Sequence, residues 1–302
     1  MSNSRATDVH AGPAAAAAHK PLLPGTCFVG LRIERVLARG ANGTLYLAVE
    51  ESTNLPLAVK AVPLAADDAV RAGLNRESFE REARTAIALR HPGIVVVHGV
   101  ATLPGLGCIV MELLPGSDMA RYTRPGRLLP EPLVLEIVAS VAEALAYAHR
   151  QGVVHRDVKP ANVMFDPATG GVKLTDFGLA RDADAEATRS GLLLGSPAYM
   201  APELLAGARA DAASDLYGLG VLMFELLTGS LPFEGPSMGA RLRAISAQAP
   251  QTVRALRPEL PATQAAVLDA ALAPVLARDA ASRERDGEAW ASELRQLRHS
   301  VF

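Results

Sequence analysis

The sequence predicts an α+β protein of two lobes, a small β-rich N-terminal lobe carrying one helix and a larger helical C-terminal lobe. Short β-type runs separated by strong turn formers fill the chain up to about residue 113. After Pro115-Gly116 apolar residues recur at helical spacing. The 302 residues, 49% hydrophobic and 21% charged, are enough for a sizeable core and about two domains' worth of chain.

Residues 1–27 are rich in Ala, Pro and small polar types with no helix or strand period, and read as a disordered tail. The domain then spans 28–298, with an N-lobe over about 28–113, a hinge at 112–116, a C-lobe over 117–298 and a short end at 299–302. Strands are expected at 31–37, 44–49 and 55–62, the first two separated by the turn sequence Arg39-Gly40-Ala41-Asn42-Gly43. A helix over about 75–90 is stopped by His91-Pro92-Gly93, and strands follow at 94–100 and 108–113. Further on, Val134, Ile137, Val138, Val141, Leu145 and Ala148 share a helical face. Short strands at 163–165 and 172–175 flank a loop-rich stretch, and helices are expected near 211–228, 237–247, 263–276 and 284–297.

Composition narrows the function classes. With 30 Lys+Arg against 32 Asp+Glu the net charge is -2, which removes the charge argument for nucleic acid or an anionic membrane as partner. Cys27 and Cys108 are too few for a disulfide framework or a CxxC zinc site. The longest apolar runs, 134–148 and 216–227, carry Glu136, Glu143 and Glu225 and read as buried helices, not membrane spans. The N-terminus lacks the basic segment and apolar core of a signal peptide, so a cytoplasmic protein is expected.

Several residues stand out against their surroundings. The Gly40–Gly43 turn is either a plain hairpin or a flap whose exposed N–H groups cover phosphates, where a side chain would hold the backbone off the anion. Lys60 lies in an apolar strand on one face with Ala58 and Val62, so it either reaches solvent at an edge or needs a partner. In the following helix Phe79, Glu82, Ala83, Ala86 and Leu89 share a face. Glu82 is therefore the carboxylate that a covered Lys60 would meet, or else a partly exposed surface acid.

The stretch His155-Arg156-Asp157-Val158-Lys159-Pro160-Ala161-Asn162, then Asp176-Phe177-Gly178 and Ala201-Pro202-Glu203, resembles the bacterial branch of the eukaryotic-like Ser/Thr protein kinases. The resemblance covers 29–298 and keeps the family's order and spacing of flap, strand lysine, catalytic loop, metal aspartate and segment end. It implies ATP as donor, Mg²⁺ or Mn²⁺ as metal, and Ser/Thr hydroxyls of proteins as acceptors. By resemblance Gly40 and Gly43 belong to the phosphate flap, and Lys60 contacts the α/β-phosphates while pairing with Glu82. Asp176 holds the metal with Asn162 as second contact, Asp157 orients the acceptor hydroxyl, and Lys159 steadies the γ-phosphate. Leu45 and Ala58 enclose the adenine, Met111 is the gatekeeper, and Glu112, Leu113 and Leu114 form the hinge. Glu203 and Arg283 match the family's buried ion pair, Asp215 its tether of the catalytic loop, and His155 and Phe177 its internal packing. Ala38 departs from the pattern by replacing the first flap glycine, which implies altered flap flexibility.

Regulation is implied by Arg156 and Arg181, a basic pocket for phosphate, with Thr188 and Ser190 as autophosphorylation positions; a solvated acidic loop is the alternative, given Asp182, Asp184 and Glu186. Ser196 reads as a packing residue of the acceptor-docking segment. Family members often pair through the small lobe, so a homodimer is a further expectation. Two other functions compete: a small-molecule kinase of related fold, against which residues 195–203 argue, and a nucleotide-binding pseudokinase scaffold. The latter would typically lack the lysine or one of the two aspartates, all of which are present. At the C-terminus Trp290, Leu294 and Leu297 fit a packed helix, and Arg295, Arg298 and His299 read as a solvated basic face.

Overall fold

The computed structural model describes residues 21–40, 43–64, 69–177 and 197–302; within the first helix the side chains of residues 69–75, 78 and 82 are not among those described. The N-lobe is a six-stranded antiparallel sheet in the order β1-β2-β3-β4-β6-β5. Its strands are β1 (Cys27–Phe28), β2 (Leu31–Gly40), β3 (Gly43–Glu50), β4 (Pro56–Pro63), β5 (Val97–Leu103) and β6 (Leu106–Glu112). Helix α1 (Ala69–Ala88) connects β4 to β5 and packs on one face.

Strand alternation decides what lies on each face. Leu57, Val59 and Ala61 of β4 join Ile33, Tyr46 and Cys108 in one core. Ala58 and Val62 join Ile109, Met111 and the α1 residues Phe79 and Ala86 in the other. Burial pushes the Cys108 thiol up to about 11, leaving it an inert packing group.

Three boundaries differ from expectation. Residues 21–27 are not tail: Leu22 is buried in the N-lobe core and its N–H donates to the Tyr46 hydroxyl at 3.2 Å. Helix α1 begins at Ala69, six residues before the expected start. The strand expected from residue 94 begins at Val97, because Ile94 bridges Leu174 and Val95 N–H donates to Leu174 O. Ile94 and Val95 thus bond to the C-lobe, while Val96 already accepts the N–H of Glu112 at the end of β6.

The C-lobe opens with a small sheet, β7 (Ser117–Asp118), β8 (Val163–Asp166) and β9 (Gly171–Leu174), in the order β7-β8-β9. Its described helices are α2 (Glu131–Arg150), α3 (Pro202–Leu205), α4 (Ala212–Thr228), α5 (Met238–Ala247), α6 (Val253–Leu256), α7 (Ala262–Leu272) and α8 (Gly287–Val301). Helix α4 is the centre of the lobe. It starts on a reciprocal cap between Asp211 and Ser214, buries most of its length, and stops at Gly229 in the left-handed conformation. Helix α2 is long and apolar enough to cross a membrane, but Val134, Ile137, Val141 and Leu145 pack in the lobe core; no other described helix meets that test.

Helix α7 ends at Leu272, four residues short of expectation, because Pro274 has no N–H to continue the ladder, although Ala273 keeps helical dihedrals. Helix α8 starts at Gly287, where the Asp286 side chain caps Glu288 N and Ala289 N, and it runs on to Val301 through the expected C-terminal end. The expected solvated basic face on this helix is a clamp instead. Arg295 bonds Glu136 at 3.2 Å and chelates Glu143, and Arg298 bonds Glu136 at 2.6 Å, so α8 is tied to α2 by the two acids that interrupt its apolar pattern.

Candidate functional site

Strands β2 and β3 are joined by the glycine-bearing hairpin. Gly40 pairs with Gly43, and the tip residues Ala41 and Asn42 lie outside the described residues. Gly43 has φ 130°, and a Cβ there would stand 2.3 Å from the Ala61 carbonyl oxygen, so only glycine fits. Gly40 has room, its nearest neighbour being 3.9 Å away. Ala38 pairs with Leu45 beside a register shift in β2, and its φ is not left-handed. The conformational freedom lost with the family's glycine is therefore not in use here.

Lys60 stands opposite Leu45 and Ile109 and shares its face with Ala58 and Val62. Its side chain is 14% exposed, and Nζ lies 2.7 Å from Asp176 Oδ2. The partner observed is thus the aspartate after β9. Glu82 is in α1, but its side chain lies outside the described residues.

Asp176 and Arg156 are both non-glycine residues in the left-handed region, at φ 66° and 75°. Such backbone costs on the order of 1–3 kcal/mol and persists only where its surroundings hold it. Here they do. Asp215, buried on α4, accepts the N–H of His155 at 2.7 Å and of Arg156 at 2.6 Å, and Nε2 of His149 lies 2.8 Å away. His155 Nδ1 accepts the Asp157 N–H at 3.2 Å, which leaves the ring proton on Nε2, 2.8 Å from the Thr175 carbonyl. Phe177 packs edge-on against the same ring with centroids 4.6 Å apart. Thr175 in turn donates N–H and Oγ1–H to the Asn162 carbonyl at 2.8 and 3.1 Å.

Asp157 Oδ2 accepts Lys159 Nζ at 2.5 Å and Asn162 Nδ2 at 3.0 Å, and Nδ2 also donates to Asp157 O at 2.7 Å. An unbroken chain of contacts thus runs from Lys60 in the small lobe through Asp176, Thr175, Asn162 and Asp157 to Lys159. Among the described residues no cluster of three or more His, Cys, Asp or Glu could cage a metal. The Asp176 carboxylate and the Asn162 side-chain oxygen, whose amide nitrogen is turned to Asp157, are two hard donors. They suit Mg²⁺, which takes few protein ligands and shares phosphate oxygens.

Apolar side chains cluster on the same face of β4 as Lys60. Ala58 and Met111 are buried in the same cluster against which Leu45 and Leu114 are half-buried. Glu112 is more engaged than its backbone role implied: its carboxylate accepts Val96 N–H at 2.7 Å and Lys173 Nζ at 2.6 Å, fastening hinge to β9. Ala86, Ile94, Ile109 and Phe177 line a small apolar pocket next to Met111 and Asp176.

Deep in the C-lobe, Arg283 has a fully buried guanidinium that chelates Glu203 at 2.6 and 3.1 Å and lies 4.9 Å above the Tyr217 ring. Arg181, Thr188, Ser190 and Ser196 lie outside the described residues. The polar duties of His149, His155 and Lys173 escaped the sequence reading. Their signal was faint: His155 sits two residues before Asp157 and Lys173 three before Asp176, but nothing local distinguishes a hydrogen-bonded histidine from a packed one.

Comparison with known proteins agrees with this geometry. The family model "Protein kinase domain" matches residues 31–284. The chain is 40% identical over 266 residues to the serine/threonine-protein kinase PknJ of Mycobacterium tuberculosis, covering 85% of this chain and 44% of that protein. It is 34% identical over 268 residues to the probable serine/threonine-protein kinase pknA2 of Bifidobacterium longum, covering 88% and 35%. It spans less than half the length of both. Among solved structures, Rad53 1-466 in complex with AMP-PNP superposes with a TM-score of 0.70 at 25% identity, covering 87% of this chain and 64% of that one. A model spanning most of the chain and relatives at this level of identity lead to one conclusion: the chain belongs to the protein kinase domain family.

Proposed function

We propose that this chain is a serine/threonine protein kinase that transfers the γ-phosphoryl group of ATP to Ser/Thr hydroxyls of proteins, working in the cytoplasm. The observation that carries the reading is the contact chain from Lys60 to Lys159, which gathers two ammonium groups, two carboxylates and one amide between the lobes. Phosphoryl transfer needs placement and charge compensation more than covalent chemistry, and these groups are of the types required.

The roles follow from position. Gly43 lets the flap backbone approach the phosphates without a side chain in the way. Ala58, Met111, Leu45 and Leu114 enclose the base. Lys60 exchanges part of its contact with Asp176 for the α/β-phosphates. Asp176 and Asn162 would hold Mg²⁺ or Mn²⁺, which would supply compensation of the phosphate charge. Asp157 accepts the proton of the acceptor hydroxyl and aligns its oxygen with the γ-phosphorus. Lys159, 2.5 Å from that carboxylate, sits where it can follow the transferred phosphoryl group. Autophosphorylation at Thr188 or Ser190, read by Arg156 and Arg181, is part of the proposal, as is a homodimer through the small lobe.

Radiolabel transfer from ATP to a generic protein acceptor tests it. Transfer is expected with the native chain and lost with Asp157→Asn and Lys60→Met. Transfer only to sugars or drugs would replace the protein acceptor with a small one, and nucleotide binding without transfer to any acceptor would overturn the enzyme reading.

A further inference from the structure

Among the described residues two ion pairs join the small lobe to the large one, Lys60–Asp176 and Glu112–Lys173. Both end on the same short stretch of chain, since Lys173 lies in β9 and Asp176 shortly after it. They also start from neighbouring strands: Lys60 is in β4, and Glu112, the last residue of β6, stands opposite Leu57 of β4. The first pair belongs to the proposed phosphate chemistry. The second touches neither phosphate nor acceptor in that reading.

The contacts around the second pair form a clasp. Glu112 Oε1 accepts Lys173 Nζ at 2.6 Å and Val96 N–H at 2.7 Å, and the Glu112 N–H donates to the Val96 carbonyl at 3.0 Å. One residue along β9, Leu174 donates its N–H to the Gly93 carbonyl at 2.8 Å and accepts that of Val95 at 3.0 Å. Residues 93–96 are thereby gripped between the hinge end of β6 and β9. The two charged side chains are 28% and 27% exposed. A pair as wet as this adds little to overall stability, and neither side chain fills a core.

We propose that Glu112 and Lys173 are positioning residues for phosphoryl transfer, keeping β9, and with it Asp176, in place once Lys60 has turned to the nucleotide. The inference rests on the kinase reading, in which Lys60 exchanges part of its contact with Asp176 for the α/β-phosphates. Without nucleotide, two ties hold β9 to the small lobe in parallel, and loss of one leaves the other. With nucleotide bound the first tie weakens, and the second carries the register of β9 against the hinge. Asp176 has left-handed backbone, at φ 66°, so the place of its carboxylate depends on the strand that leads into it. A displacement of about 1 Å at such a group costs on the order of 10²-fold in rate.

Steady-state kinetics of ATP-dependent transfer to a protein acceptor tests this. Lys173→Met is expected to lower kcat about tenfold with KM for ATP within about twofold of native. Lys173→Arg keeps the charge and is expected to restore most of the loss. Glu112→Gln keeps an oxygen for the Val96 N–H but not the charge, so it is expected to match Lys173→Met, with no further loss in the double variant. Hydrogen exchange gives a readout that needs no turnover. In Lys173→Met the Val95 and Leu174 amides are expected to exchange about tenfold faster than native with AMP-PNP bound, and at the native rate without it. Faster exchange in both states would make the pair a purely structural tie, and an unchanged or raised kcat would remove its positioning role; either result overturns the proposal. If the native chain transfers no phosphoryl group, the kinase reading fails instead, and the exchange rates alone decide whether the pair holds β9 under bound nucleotide.

Discussion

Lys60 Nζ lies 2.7 Å from Asp176 Oδ2, so a strand of the small lobe is bonded directly to the left-handed turn that follows β9 in the large one. The ammonium and the carboxylate act as one unit in the proposed chemistry, and such units are not additive. Lys60→Met and Asp176→Asn are each expected to lower kcat by at least about 10²–10³-fold. The double variant is expected to lose little more than the worse single one. Single-turnover phosphoryl transfer measures this; full additivity would mean that the two groups serve separate steps.

Asp215 positions the loop carrying Asp157 without touching substrate. Its two oxygens face the N–H groups of His155 and Arg156 and the ring of His149, and an amide in its place sets an NH₂ against donors. Asp215→Asn is expected to lower kcat about 10²-fold through misplacement, with KM for ATP changed little. Steady-state kinetics separates the two parameters, and an equal rise in KM would point to a disturbed nucleotide slot.

Glu203 neutralises a guanidinium that is 0% exposed. Glu203→Ala leaves that charge buried and unpaired, at a cost of about 3–5 kcal/mol. A fall in Tm of roughly 10 °C is expected by calorimetry. Retention of the native Tm would show that the Ala277, Ala213 and Arg278 carbonyls, which also accept from Arg283, suffice.

The two flap glycines differ in kind. Gly43→Ala drives a methyl group against the Ala61 carbonyl and forces a left-handed backbone, for an expected loss of about 1–3 kcal/mol. Gly40→Ala meets open space and is expected to stay within about 0.5 kcal/mol of the native chain. Urea titration of both variants gives the comparison, and equal costs would contradict the geometry.

The clamp between α2 and α8 titrates in acid. Hydrogen bonding to Arg295 holds the Glu143 carboxyl below its usual value of 4.5. A depressed acid binds fewer protons in the folded than in the unfolded chain, so its stabilisation is complete above that value and is lost as pH falls through the folded one. Glu143→Gln is expected to flatten the fall of Tm with pH below about 4.5. An unchanged slope would assign the acid limb to other carboxylates.

Much of this was legible in the sequence because it is local or periodic. The shared face of Ala58, Lys60 and Val62 follows from a period of two, and the burial of Phe79, Ala83, Ala86 and Leu89 from a period of 3.6. The motif residues at 155–162 and 176–177 could be read by resemblance. What escaped was non-local. Ile94 left its expected strand to bridge Leu174, eighty positions away, whereas the start of α1 and the stop of α7 were boundaries misplaced by a few residues, the latter despite the local signal of Pro274. Arg295 and Arg298 looked like a wet face because Glu136 and Glu143 lie some 150 residues earlier.

By itself the amino-acid order determined the two-lobed architecture and the inward faces of its strands and helices, because short-range periodicity dictates which side chains turn inward. The groups that meet between the lobes could be named only by resemblance. Only the tertiary structure decided who partners whom: Lys60 with Asp176, Asp215 with two backbone amides, Glu112 with Lys173 and Val96. A buried charge or N–H must find a counterpart, but its choice among many candidates depends on distances that exist only once the lobes have packed.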